Sequence, residues 1–266
     1  MLIERNALHA ELPLLAGLGT VDLCELLASL GFPVDGVEER DGRVILDVDV
    51  TANRGDSLSH RGLARDLAAK LAASLPPVPR TPLKEGAPLF PVRLEAEACP
   101  LYSTAILELG VSAGTPLEVV SFLASMGSSA KQLPAVDASN ELLHRYGHPP
   151  HAFDADKLKG ALIVRWARAG ETLVTLDGVE RKLSPEDLLI ADEGGPIALA
   201  GVMGGDPTKV TASTRRVLLE SAYFDPRVVR RMAHRHGLHS DASYRYGRGA
   251  DPAMAPIARD LLASRL

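Results

Sequence analysis

Glu220 is the residue whose setting most invites chemistry. It follows the apolar run Val217-Leu218-Leu219 and precedes Ser221-Ala222-Tyr223-Phe224. Alternate residues of a strand share a face, so Glu220 falls with Leu218 and Ala222 on a side expected to point inward. An unpaired buried charge costs several kcal/mol or gives up its charge, so such a carboxylate needs a partner or a ligand. An ion pair with an arginine downstream and contact with a bound molecule both answer that need. Upstream, GVMGG places Gly201, Gly204 and Gly205 where a backbone free of side chains permits close approach. Downstream comes the polar loop Ser240-Asp241-Ala242-Ser243. Around that loop, from Pro226 to Arg248, lie Arg227, Arg230, Arg231, Arg235, Arg245 and Arg248, with Asp241 the only acid. That stretch is either a solvated helix face with salt bridges or a local phosphate-facing patch.

Other reactive residues carry less. His148 and His151 are three apart, and His234, His236 and His239 follow much later. No cysteine or carboxylate completes a ligand spacing, so no metal is expected. The sequence has neither a GxxxxGK[ST] phosphate loop nor a G-x-S-x-G elbow. Any hydrolysis would therefore use a water oriented by polar groups and backbone amides, without a cofactor.

These residues must be held by the elements around them. Leu23, Leu26, Leu27 and Leu30 follow helical spacing from an N-cap at Thr20 to a stop at Gly31. A strand is expected over Arg43–Val50, then a polar turn at Asn53, Arg54 and Asp56. Ser57 or Ser59 caps a helix reaching about Ala73. Residues 75–91 contain six prolines and read as a stiff linker between a unit at 1–74 and another at 92–266. Beyond it, strands are expected over Val92–Ala98 and Leu101–Leu109, and a helix over Pro116–Met126. A short helix runs from Ser139 and Asn140 to Tyr146. After Ala161 the chain is strand-rich, with a hairpin at Asp177-Gly178. Asp225 and Pro226 open a helix to His236 as N-cap and first helical residue. A last helix covers Asp251–Leu266.

With 266 residues, 46% hydrophobic and 24% charged, the composition is that of a globular protein with a substantial core. A net charge of −5 argues against gripping nucleic acid by bulk electrostatics. There is no apolar run of membrane-spanning length and no signal-like start. Cys24 and Cys99 make no disulfide framework, so a cytoplasmic location is expected.

GVMGG, VLLESAYF and HGLHSDASYRYGRGADP, in that order and spacing, resemble the editing module of the bacterial phenylalanyl-tRNA synthetase beta subunit. GHPPHAFDADKLKG resembles the same family, as do LLASLGFPVDGVEE and TANRGDSLSHRGLARDLAAKLA near the start. The family's OB-fold insertion is missing after Glu39, and its catalytic-like and anticodon-binding regions have no counterpart. The chain is thus expected to be a free-standing or truncated relative. The resemblance implies an α+β fold: a small helical N-terminal domain, then a larger β-barrel-like editing domain with mixed and antiparallel sheets.

It also implies a function and roles. An apolar phenylalanine pocket rejects tyrosine only about 10²-fold, whereas a site demanding the hydroxyl discriminates by roughly 10⁴-fold. The expected activity is therefore hydrolysis of tyrosine mischarged on tRNA-Phe, with aminoacyl-tRNA and a synthetase subunit as partners. By resemblance Glu220 reads the tyrosine hydroxyl, and His151, Ser139 and Ser240 form the catalytic surroundings. Gly201, Gly204, Gly205 and Ala242 shape the pocket, and amides near Gly204 and Gly205 face the developing oxyanion. Arg231, Arg235 and Arg245 contact tRNA. The alternative is a non-catalytic paralogue that binds an aromatic amino acid or RNA, or pairs with an alpha subunit. Gly247 stands where the family has glutamate, Ala200 where it has glycine, and Pro150 where methionine is common.

Overall fold

The computed structural model describes residues 1–83, 90–110 and 114–266. The expected linker lies partly outside them, at 84–89, and its residues 75–83 form neither helix nor strand.

The first 74 residues are less purely helical than expected. β1 (Leu2–Glu4), β2 (Val34–Arg40) and β3 (Arg43–Val48) form an antiparallel sheet in the order β1-β3-β2. Asp41 and Gly42 turn β2 into β3 with φ of 47° and 73°, the positive values a two-residue hairpin requires. α1 (Arg5–Glu11), α2 (Thr20–Ala28) and α3 (His60–Lys70) cover the sheet. A three-residue strand and a two-turn helix carry too little period to be read from sequence, which is why β1 and α1 were not expected. Thr20 is the first residue of α2 rather than its cap; its hydroxyl accepts from Arg5 Nη1 at 2.7 Å. Ser59 does cap α3, accepting from Gly62 N–H at 2.9 Å. Leu8, Leu23, Leu27, Leu46, Leu63 and Leu67 meet in the core this produces.

Beyond the linker come β4 (Val92–Leu94), β5 (Leu101–Glu108), α4 (Leu117–Ser125), α5 (Pro134–Tyr146) and β6 (His151–Asp154). β7 (Leu162–Trp166), the hairpin β8 (Thr172–Val174) and β9 (Glu180–Lys182), β10 (Leu188–Asp192), β11 (Gly195–Leu199) and β12 (Met203–Gly204) follow. β13 (Arg216–Tyr223), α6 (Pro226–His236), α7 (Asp241–Tyr246) and α8 (Met254–Ser264) complete the chain. The larger sheet runs β12-β11-β10-β7-β4, with only β4 parallel to its neighbour. The smaller runs β5-β13-β6 and is antiparallel. The fold is α+β as expected, but the sheets stay open and close no barrel among the described residues.

α5 begins at Pro134, a full turn before the expected start, because Asp137 organises the polar residues ahead of it. That buried carboxylate accepts from the N–H groups of Lys131 (2.7 Å) and Leu133 (3.2 Å) and from Thr115 Oγ1 (2.6 Å).

β13 is the middle strand of its sheet, and both faces are covered. Leu218, Ala222 and, just past the strand, Phe224 pack into the core built on the larger sheet. Val217 and Leu219 pack with Leu142 of α5 and Leu261 and Leu262 of α8 on the other side.

The early residues are joined to the later ones by buried polar contacts. His60 accepts from Glu4 N–H through Nε2 (3.0 Å), so Nδ1 carries the proton and donates to His144 O (3.0 Å). Burial pulls this imidazole down to about 3, and it stays neutral. Arg245 Nε donates to Leu58 O at 3.2 Å. α3 lies tightly on the turn before it: a methyl group at Gly62 would overlap the Asp56 carbonyl oxygen and come within 2.7 Å of Ser57 Cα. Gly62→Ala should lower stability by about 1–3 kcal/mol, the usual range for overpacking. A urea midpoint equal to that of the wild type would show that the turn yields freely.

Candidate active site

The antiparallel register fixes the first pair of candidate side chains. Glu220 of β13 lies opposite Thr104 of β5 on one side and His151 of β6 on the other. Directly opposed residues share a face of the sheet, so His151 and Glu220 point the same way. Both line a cavity of about 200 Å³, whose walls include Gly201, Gly204, Ser240 and Ala242. A cavity of roughly 150 Å³ lined by apolar side chains holds a benzene ring, so the space suits one aromatic side chain.

Glu220 is 5% exposed, and its carboxyl makes no hydrogen bond or ion pair with any described residue. The downstream arginines have other partners or none, so the ion-pair alternative does not hold. Loss of hydration pushes the carboxyl up to about 8, so at neutral pH the group is a carboxylic acid that donates and accepts one hydrogen bond each. His151 is also neutral, its imidazole pulled down to about 4 by burial. Its ring meets Phe153 edge-on at 4.6 Å between centroids and has no hydrogen bond to the described protein.

The glycines keep this space open. Gly201 has φ of +69°, and a methyl there would come within 2.9 Å of Phe224 and 3.1 Å of Tyr246. A methyl at Gly204 would lie 2.9 Å from His151 Cε1. Gly205 stands behind the wall and its N–H donates to Ile197 O at 2.8 Å, so it does not face an oxyanion. Gly201 N–H, by contrast, makes no hydrogen bond among the described residues.

Ser240 borders the cavity with its hydroxyl already engaged. It donates to Val202 O (2.6 Å) and accepts from Ser243 N–H (3.0 Å), capping α7 and fastening it to the glycine turn. Ser139 lies elsewhere, within α5, donating to Ala135 O at 2.7 Å. Arg245 is buried, bonded to Leu58 O and Asp241, and cannot meet a solvated phosphate. Arg235 is bound to Asp187 and Glu186. Arg231 alone of the three predicted tRNA contacts is exposed and without a partner among the described residues.

Phe224, Tyr246 and Leu176 also line the cavity. Phe224 continues the alternation Leu218, Glu220, Ala222, a signal available in the sequence. Tyr246 packs against Phe224 (5.3 Å) and donates to Pro149 O at 3.0 Å. Leu176 comes from the distant β8–β9 hairpin through Leu176 N–H to Gly204 O (3.0 Å), and nothing local announces it.

The raised affinity of Glu220 for its proton has a measurable consequence. Folded, the group holds its proton to about 8; its reference value is 4.5. Between those values the folded state carries the extra proton, so its stability falls as pH rises. Measured against Glu220→Gln, which cannot ionise, the wild type should lose up to about 4 kcal/mol between pH 5 and pH 9. A pH-independent difference in urea denaturation would mean an ordinary glutamate.

A family model described as the B3/4 domain matches residues 98–266, which contain every residue lining the cavity. The chain is 46% identical over 241 residues to the phenylalanine–tRNA ligase beta subunit of Anaeromyxobacter dehalogenans, covering 88% of this chain and 30% of that protein. It is 42% identical over 243 residues to the protein of that name from Synechococcus, covering 88% of this chain and 29% of the other. The chain thus spans less than a third of the length of these relatives. A solved N-terminal fragment of the phenylalanyl-tRNA synthetase beta subunit from Pyrococcus horikoshii aligns with 89% of this chain and 73% of its own, at 16% identity and a TM-score of 0.46.

Proposed function

The chain belongs to the B3/4 domain family, and on that premise we propose that it hydrolyses the ester of tyrosine mischarged on tRNA-Phe. The observation that carries this is the neutral, unpartnered carboxyl of Glu220 facing a cavity sized for one ring. A phenol satisfies that carboxyl, donating to its carbonyl oxygen and accepting from its O–H. Phenylalanine would leave both buried groups unpaired, which favours tyrosine by orders of magnitude.

In the proposed reaction a water oxygen attacks the ester carbonyl carbon. The bond to the ribose oxygen breaks, that oxygen takes the proton the attacking water gives up, and tyrosine leaves. His151, with little affinity for a proton, orients the water by accepting its hydrogen bond and does not carry the proton away. Gly201 N–H is the amide left to stabilise the developing oxyanion, in place of Gly205. Ser240 keeps one lone pair to accept from substrate, and Ala242 sets the width of the entrance. A synthetase alpha subunit is proposed as partner on the same family basis.

Three observations favour the non-catalytic alternative, a module that only binds an aromatic amino acid. Ser139 is remote, Ser240 is engaged, and His151 is a weak base. Deacylation of Tyr-tRNA-Phe separates the two. Wild type should exceed the buffer rate, and Glu220→Ala and Ala242→Trp should each slow it at least tenfold. A wild-type rate equal to buffer rules out catalysis by the isolated chain. Variants as fast as an active wild type place the chemistry elsewhere.

A further inference from the structure

The arginine-rich helix turns a different set of residues to solvent from the set expected. Val229, Met232 and Ala233 of α6 are buried. At 3.6 residues per turn the opposite face carries Arg227, Arg230, Arg231 and His234, all exposed. Arg235 lies at the flank, where Asp187 and Glu186 neutralise it.

Most arginines of the chain are paired with a carboxylate. Arg227, Arg230 and Arg231 are not, and Arg230 Nη1 donates instead to Gly247 O at 3.1 Å. Arg248 has no carboxylate either; its guanidinium stacks over Tyr244 at 3.7 Å from the ring centre. Tyr244 is 40% exposed. On a protein of net charge −5, this is a local cationic surface bordered by an aromatic platform.

We propose that the outer face of α6, together with Arg248 and Tyr244, binds the backbone of single-stranded RNA. It rests on the preceding section only for which RNA is held. Unneutralised guanidinium groups suit phosphates, and an exposed aromatic under an arginine suits a stacked base. Neither an anionic membrane nor an acidic peptide calls for the second feature. From Arg227 to His234 the stripe extends about 10 Å, enough for a short run of nucleotides. α7 links this surface to the cavity, because it supplies both Tyr244 outside and Ala242 within.

The test is fluorescence anisotropy of a short labelled single-stranded RNA over a range of salt concentrations. Arg227→Ala/Arg231→Ala should weaken binding at least tenfold at low salt and flatten the slope of log K against log salt by about 1.4. Tyr244→Ala should lose several-fold affinity with the slope unchanged, as expected when stacking is removed. Arg168→Ala/Arg215→Ala, which removes two exposed arginines elsewhere, should bind as wild type. The proposal is overturned if wild type shows no salt-dependent binding, if both double variants lose equally, or if phosphatidylserine vesicles bind as strongly as RNA. Glu220→Ala should bind RNA normally, so an inactive deacylase that still binds would sink only the hydrolytic function.

Discussion

β13 has apolar residues on both faces, and covering both is what gives the smaller sheet its place in the molecule. On such a strand the side chains from Val217 to Ala222 are taken out of water, the Glu220 carboxyl among them. Glu220 therefore sits almost out of water and beyond the reach of any described arginine, and the cost of burying its charge is avoided by keeping the proton. The protonated state on which the proposed reading of a hydroxyl group relies thus comes from the same burial that stabilises the fold.

The cavity beside it exists because other residues are prevented from filling it. Gly201, in a left-handed conformation, lets Phe224 and Tyr246 close the far wall without collapsing onto Glu220. The Ser240 hydroxyl ties α7 to the glycine turn, and Arg245 ties α7 to Leu58 near the start of α3. The early residues thereby help fix the lip of a cavity to which they contribute no side chain. His60, neutral and doubly bonded, reinforces the same junction from within.

Much of this was legible in the sequence, and the rest was hidden for identifiable reasons. Alternation along Leu218, Glu220 and Ala222 located the inward face, and the register then brought His151 to it. Asp225-Pro226 and Asp177-Gly178 marked their helix and hairpin because capping and turn chemistry are local. The fates of the arginines were not local. Arg245, expected by resemblance to contact tRNA, is a buried strut, while Arg227 and Arg230 of the same arginine-rich stretch lie exposed without a carboxylate partner. Ser139 kept the hydroxyl expected of it, but within a helix that begins earlier than its polar lead suggested. Leu176 reaches the cavity from a hairpin whose docking depends on a backbone hydrogen bond to Gly204.

The account turns on whether the Glu220 carboxyl meets a phenol, apart from any hydrolysis. Calorimetric titration of the protein with tyrosinamide and with phenylalaninamide at pH 7 addresses this alone. The account predicts at least tenfold tighter binding of tyrosinamide, a preference that disappears in Glu220→Ala. Equal affinity for the two amides, or a tyrosine preference that survives the substitution, would contradict it.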